Sequence, residues 1–179
     1  MAGREDLKRF FALDIDFSAI GLAQVENAAY FCTPVGAEYI GWIGCDGVHF
    51  VLLPGDERVF CVDPMAMEEG RYVLPVAESF RQFLSFVLFC RDANPLSQIY
   101  WMTEERFRQL LREDAGAHWD GCEAFLAQKA AALEAVSAAF GLEPADPYEK
   151  VKTLQRAFDP ACLTFSDEYY DVLGLERGS

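Results

Sequence analysis

Positive charge is scarce in this sequence. Fifteen Lys and Arg stand against 29 Asp and Glu, a formal net charge of −14 over 179 residues. Nucleic acid phosphates and anionic membrane surfaces repel such a chain, so neither is expected as a partner. A basic protein partner, approached by electrostatic steering, fits the charge. The same acidity also keeps an aromatic-rich protein in solution. Histidine is scarcer still, with His49 and His118 alone. The longest strongly apolar run without a charge is about Phe83 to Cys90, far too short for a membrane span. The opening "MAGREDLKRFFALDIDFSAIG" mixes charges of both signs and reads as no secretory leader. The six cysteines are scattered, with no CxxC pair. The expectation is reduced, mostly buried thiols in a cytoplasmic protein, not a disulfide framework. The glycine patterns of phosphate loops and the G-x-S-x-G of a serine nucleophile are absent.

Apolar material is plentiful. The hydrophobic fraction is 52% with fifteen Phe, enough for a sizeable core. The reading is one domain over residues 1–179. Residues 4–27 suggest a short helix or an irregular arm. Strands are expected at Ala29–Thr33 ("AYFCT"), Glu38–Ile43 ("EYIGWI"), Val48–Leu53 ("VHFVLL") and Arg58–Val62 ("RVFCV"), with a short one at Tyr72–Leu74. "CDG" and "PGDE" are turn signals, and links so short favour antiparallel neighbours. The fold class is therefore α+β, with a mostly antiparallel meander within about residues 29–74 packed against helices. In the strand after the first turn, Val48, Phe50 and Leu52 share one face, and His49, Val51 and Leu53 share the other. Both faces are largely apolar, so this strand is expected to be covered on both sides.

Helices follow. Pro75 suits a helix start, and Phe80, Phe83, Leu84, Val87 and Leu88 make an i, i+3, i+4 stripe. Thr103 reads as the N-cap of the next helix. A third covers about Trp119 to Phe140, with Cys122, Phe125, Leu126, Leu133, Val136 and Phe140 on its apolar side and Gly141 closing it. A fourth runs from about Asp146 to Phe158, and Leu163–Phe165 suggests a last strand. Residues 112–179 are a helical elaboration, either packed on the sheet or set apart as an appendage.

Chemistry-bearing patterns are thin. Cys45, Asp46 and His49 have C-D-x-x-H spacing, but zinc needs three or four converging ligands and His118 stands alone. A hydrolase using His49 with Cys45 or Asp46 is the enzyme alternative. The simpler reading makes Asp46 and Gly47 turn residues and His49 a buried strand histidine with a hydrogen-bond partner. The acidic pairs Asp14/Asp16, Glu68/Glu69, Glu104/Glu105 and Asp167/Glu168 read as solvated surface or helix starts. No metal or cofactor is expected. Trp42, Tyr100 and Trp101 are either interface anchors or core.

The run "IGWIGCDGVHFVLLPGDERVFCVDPM", followed by "YVLPVAESFRQFL", resembles the SUKH superfamily, named in part after a yeast cell-wall synthesis regulator and abundant in bacteria. Gly44, Asp46 and Gly47 match its Gly-x-Asp-Gly turn. Ala77, Ser79, Phe80, Phe83 and Leu84 match the opening of its helix. The Leu-Pro segment and Asn-Gly that usually precede these are missing from residues 1–36. The resemblance implies an α+β fold without catalytic residues. It also implies an immunity protein that binds and neutralises a cognate toxin, often a nuclease. Asp56, Glu57, Glu68, Glu69, Trp42, His49 and Trp101 are the expected contacts to that basic partner. A regulatory or structural module with an endogenous partner is the other binding reading.

Overall fold

The computed structural model describes residues 2–24, 29–66 and 71–176. It is α+β: four strands and seven α-helices among the described residues. The strands β1 (Glu38–Trp42), β2 (His49–Leu52), β3 (Val59–Val62) and β4 (Val73–Ala77) lie in the order β1-β2-β3-β4, every pair antiparallel.

The turns form where the sequence signals them. Asp46 (φ 53°) and Gly47 (φ 73°) both take the left-handed region, and Val48 N–H donates to the Cys45 carbonyl at 3.2 Å. Two left-handed residues give a hairpin turn whose twist suits the strands. In "PGDE", Asp56 N–H closes the turn on the Leu53 carbonyl at 3.2 Å.

The expected strand at 29–33 does not form. Tyr30 N–H donates to the Thr33 hydroxyl and Thr33 N–H to the Tyr30 carbonyl, so the backbone turns here. The threonine side chain outcompetes a ladder partner, and Pro34 offers no donor to extend one. Pro75 also departs from expectation. It lies inside β4 at the sheet edge, opposite Phe60, where a missing N–H is tolerated. The helix α2 (Phe80–Cys90) starts later, on Ser79, whose hydroxyl accepts from Gln82 N–H at 3.2 Å.

Sheet burial is two-sided, as the apolar alternation of β2 predicts. Val48, Phe50, Leu52, Val59 and Cys61 face α2 and the larger core. Val51, Leu53, Phe60, Val62 and Val73 face a second cluster. The larger core is floored by α2, with the Phe50 and Phe83 rings 5.0 Å apart. The N-terminal segment forms α1 (Ala2–Phe11) and a 3-10 turn at Phe17–Ile20. Phe10 from α1 meets Phe80 edge-on at 5.5 Å.

The chain after α2 packs on this core. A short α3 (Asn94–Gln98), begun by Pro95, occupies what reads in the sequence as a plain link. It is followed by α4 (Glu104–Gly116), α5 (Cys122–Phe140) and α6 (Tyr148–Arg156). Phe107, Leu133, Val136, Phe140, Tyr148 and Val151 share the larger core with the sheet, so the C-terminal helices are no separate appendage. The expected strand at 163–165 does not form; its one cross-chain backbone bond is Val35 N–H to the Thr164 carbonyl at 2.8 Å, and Leu163 N–H bonds locally to the Pro160 carbonyl. With α7 (Asp167–Leu173) this segment covers the second sheet face through Phe165 and Tyr169, joined by Phe158 from the chain after α6.

Gly41 marks the tightest approach of one backbone to another among the described glycines. A Cβ there would lie 2.7 Å from the Leu22 Cα and 2.8 Å from its carbonyl carbon, where Ala23 and Trp42 exchange both backbone bonds. Backbone cannot yield as a side chain tip does. Gly41→Ala is expected to lower the unfolding free energy by about 2 kcal/mol through overpacking. Urea denaturation of the two proteins checks this, and an unchanged midpoint would mean that the 22–23 segment is free to move away.

Candidate functional site

The residues of the C-D-x-x-H pattern separate. Cys45 and Asp46 are exposed on the turn, whereas His49 is fully buried on β2. Its Nδ1 lies 2.7 Å from the Gly47 carbonyl and its Nε2 3.2 Å from the Thr33 hydroxyl. The Gly47 carbonyl only accepts, so Nδ1 carries the proton and Nε2 accepts from Thr33. Tyr39 stacks on the ring at 5.0 Å and Tyr30 at 5.8 Å. Burial lowers the His49 pKa, partly offset by the Gly47 bond. Burial raises the Cys45 thiol, and Asp46 pushes it the same way, so this thiol is held away from its nucleophilic form. Nothing in this geometry offers a free base or a thiolate to a substrate.

The other expected contacts fare differently. His49 itself is closed to a partner, because strands and tyrosines enclose it. Trp42, paired with His49 across β1 and β2, is half-buried, and its Nε1 is buried without a hydrogen bond. Burial raises the Asp56 carboxyl, but Arg58 holds it below its usual range through a bidentate pair at 2.6 to 3.1 Å. Glu57 is exposed and accepts from Gly3 N–H at 3.0 Å. Trp101 is 56% exposed. Glu68 and Glu69 lie outside the described residues.

A different surface gathers the features of a contact site. Apart from Cys122 at its first position, the apolar stripe of α5 is buried only in its second half, at Ala132, Leu133, Val136 and Phe140. Ahead of it Phe125 and Leu126 remain 37% and 41% exposed, and Trp119, expected to open this helix, precedes its start at Cys122 and is 49% exposed. The reason is length. With 19 residues α5 runs ~28 Å, whereas the 11 residues of α2 give only ~16 Å of floor. The Trp119 and Phe125 rings lie 5.7 Å apart. Lys129 sits over Phe125 and is anchored to Asp92 at 2.6 Å, which ties the overhang to the end of α2. The chain leading into this apolar corner carries Glu113, Asp114, Asp120 and Glu123 with no Lys or Arg from 113 to 128, although Arg106 pairs with Glu113 at 3.4 Å. Burial raises the Asp114 carboxyl, and Asp92 and Glu113 add to it while Lys129 opposes them.

The same corner holds the donor group that brings His118 out of isolation. The Cys122 thiol lies 3.2 Å from His118 Nδ1, and with a Glu123 carboxylate oxygen the three donor atoms fall within 4.8 Å of one another. That is a donor set of the zinc type with one position short of four. Sequence spacing hides it, because the relevant pair is i, i+4 across a helix start. Trp119 is equally hidden, since an apolar residue before an apolar helix reads as core.

Compared with known proteins, the chain matches no family model, no curated protein and no solved structure.

The buried neutral His49 sets a pH dependence. Its folded pKa lies below the 6.5 of the free side chain, so the unfolded chain binds the proton first as pH falls. Its stabilising share is complete above that value and drains away as pH drops towards the folded pKa. Denaturation midpoints taken between about pH 7.5 and pH 5 are expected to fall more for the wild type than for His49→Asn, which cannot titrate. Parallel curves would show that His49 is no more buried from protons than an exposed histidine.

Proposed function

We propose that this chain is a non-enzymatic protein-binding module that neutralises a cognate toxin with a basic surface, such as a nuclease carries for its substrate. The corner at Trp119, Phe125 and Leu126 is its contact surface. The observation that carries the reading is the apolar stripe of α5, which continues past the core into an exposed patch with a mainly acidic surround, Lys129 over Phe125 being tied to Asp92. Exposed apolar patches rimmed by polar residues are typical of protein contacts. Rigid aromatics supply contact area at small entropic cost, and rim acids select a basic partner and speed its approach. A second copy of this chain fits poorly, because a symmetric pairing would set four acids against four.

The resemblance to the SUKH superfamily supports the same reading. The meander, the Asp46–Gly47 turn and the Ser79-capped helix fall on the residues that carry it. The hydrolase alternative draws no support from His49, whose two ring nitrogens are both engaged inside the fold. The regulatory alternative shares the contact surface and differs in what is bound. Among the described residues no helix is long and apolar enough to cross a membrane.

Paired capture tests the proposal. Tagged wild type and the double variant Trp119→Ala/Phe125→Ala are exposed to lysate of the source at low and at about 0.5 M salt, where screening shortens electrostatic reach. One basic partner is expected, stoichiometric on the wild type, weakened by salt and lost on the variant. That partner, expressed alone, is expected to arrest growth, and co-expressed wild type is expected to relieve the arrest. Equal retention on both proteins would remove the patch from the interface. A harmless partner would favour the regulatory module.

A further inference from the structure

A second charged feature lies elsewhere and has the opposite sign. Between the C-terminal half of α6 and the entry to β4 is an open cavity of about 500 Å³, within the range of small-molecule sites. Arg71, Lys152 and Arg156 line it, with Gln155, Tyr100 and Phe158, and no carboxylate is among its described lining residues. Only fifteen bases exist in the chain, so three around one cavity is a marked concentration.

The concentration works against the fold. Lys152 and Arg156 stand four apart on one helix, where like charges repel. Lys152 is half-buried, and its Nζ donates to the Tyr100 carbonyl at 2.8 Å. Burial lowers its pKa, and the charges of Arg156 and Arg71 lower it further, with Glu149 the opposing influence. Local duties account for part of this. Arg156 suits the negative end of α6, and Lys152 satisfies the Tyr100 carbonyl. Arg71, from a distant part of the chain, faces the same space. Asp63 lies in a smaller adjoining recess that Arg71 and Tyr100 also line, and its N-cap-like bond to Met65 N–H at 2.9 Å occupies one carboxylate oxygen.

We propose that this cavity is a binding site for a phosphate-bearing small molecule with a flat ring, held by Arg71, Lys152 and Arg156. Two guanidinium forks and an ammonium match the several oxygens of a doubly charged phosphate better than a single carboxylate. Gln155 adds a neutral donor, and Tyr100 and Phe158 provide the apolar wall for the ring. The bound anion relieves the mutual repulsion of the three cations. The site stands apart from the acid-rimmed corner of α5 in the residues that form it, so it does not depend on the toxin-binding reading.

The test uses calorimetric titration of the full chain with adenosine monophosphate, inorganic phosphate and uncharged adenosine, at constant ionic strength. Saturable one-to-one binding of the monophosphate is expected, with phosphate weaker and adenosine weakest. Arg156→Gln, an exposed change that leaves the Tyr100 contact in place, is expected to weaken the monophosphate about tenfold, a loss of ~1.4 kcal/mol. Lys152→Met is expected to weaken it at least as much, and circular dichroism checks that each variant is folded. Equal binding of phosphate and monophosphate would overturn the aromatic wall as part of the site. No saturable binding, or binding that Arg156→Gln leaves unchanged, would overturn the proposal.

Discussion

Two-sided burial of β2 and β3 is the constraint on which the rest of this structure depends. All eight residues of these two strands are buried, and His49 is the only one with a polar ring. A sheet of four strands, each only four or five residues long, is not stable in isolation. It needs apolar layers on both faces, and no single segment supplies them. The larger face takes α2, α1 and parts of α5 and α6. The smaller takes the 31–37 segment and the C-terminal tail, where Phe60 meets Phe158 at 5.6 Å. Distant parts of the chain are thereby held in one fold, and Tyr148 adds a bond from α6 to the Met102 carbonyl at 3.0 Å.

His49 follows from the same constraint. A polar side chain inside a dry layer must be hydrogen-bonded locally or it costs several kcal/mol. The turn supplies the Gly47 carbonyl, and the turn that replaces the expected first strand supplies Thr33. The two tyrosines that flank the ring complete its enclosure. Histidine here ties the 30–33 turn to the sheet, which accounts for its place without invoking chemistry.

Local signals were legible in the sequence and distant ones were not. Asp46–Gly47, Thr103 and Gly141 act within a few residues of themselves, and each stands where turn and capping chemistry places it. The alternation in β2 carried both faces because period 2 is a property of the strand alone. The errors share a cause in tertiary context. Ala29–Thr33 has strand composition, but Thr33 spends its hydroxyl on Tyr30. Pro75 looked like a helix start because its tolerance at a sheet edge depends on where β4 sits. The i, i+3, i+4 pattern of α5 was real, yet periodicity says which face is apolar and not how much of it a neighbour covers. The patch of Trp119, Phe125 and Leu126 and the cationic cavity could be seen only once helix lengths and neighbours were known.

The overhang of α5 is self-supporting, and this bears on whether it is an accident of packing. Its front half, 122–131, has alanine at 124, 127, 130 and 131, the residue that needs least from its surroundings to be helical. A helix already nucleated by its buried second half propagates through such residues, so its exposed side chains are under no folding demand to be large and apolar. Alanine or glutamine at 125 and 126 would keep the helix and reduce the exposed apolar surface. Phe and Leu occupy those positions instead, beside Trp119, within a stretch that contains acids and no base. The acids offset the solubility cost of the aromatics by adding charge, and they also bias which partner can approach. A chain of −14 that gathers acids at one apolar corner and three cations at one cavity has its charge sorted by location. Net charge alone would have assigned it a single electrostatic character; the fold gives it two.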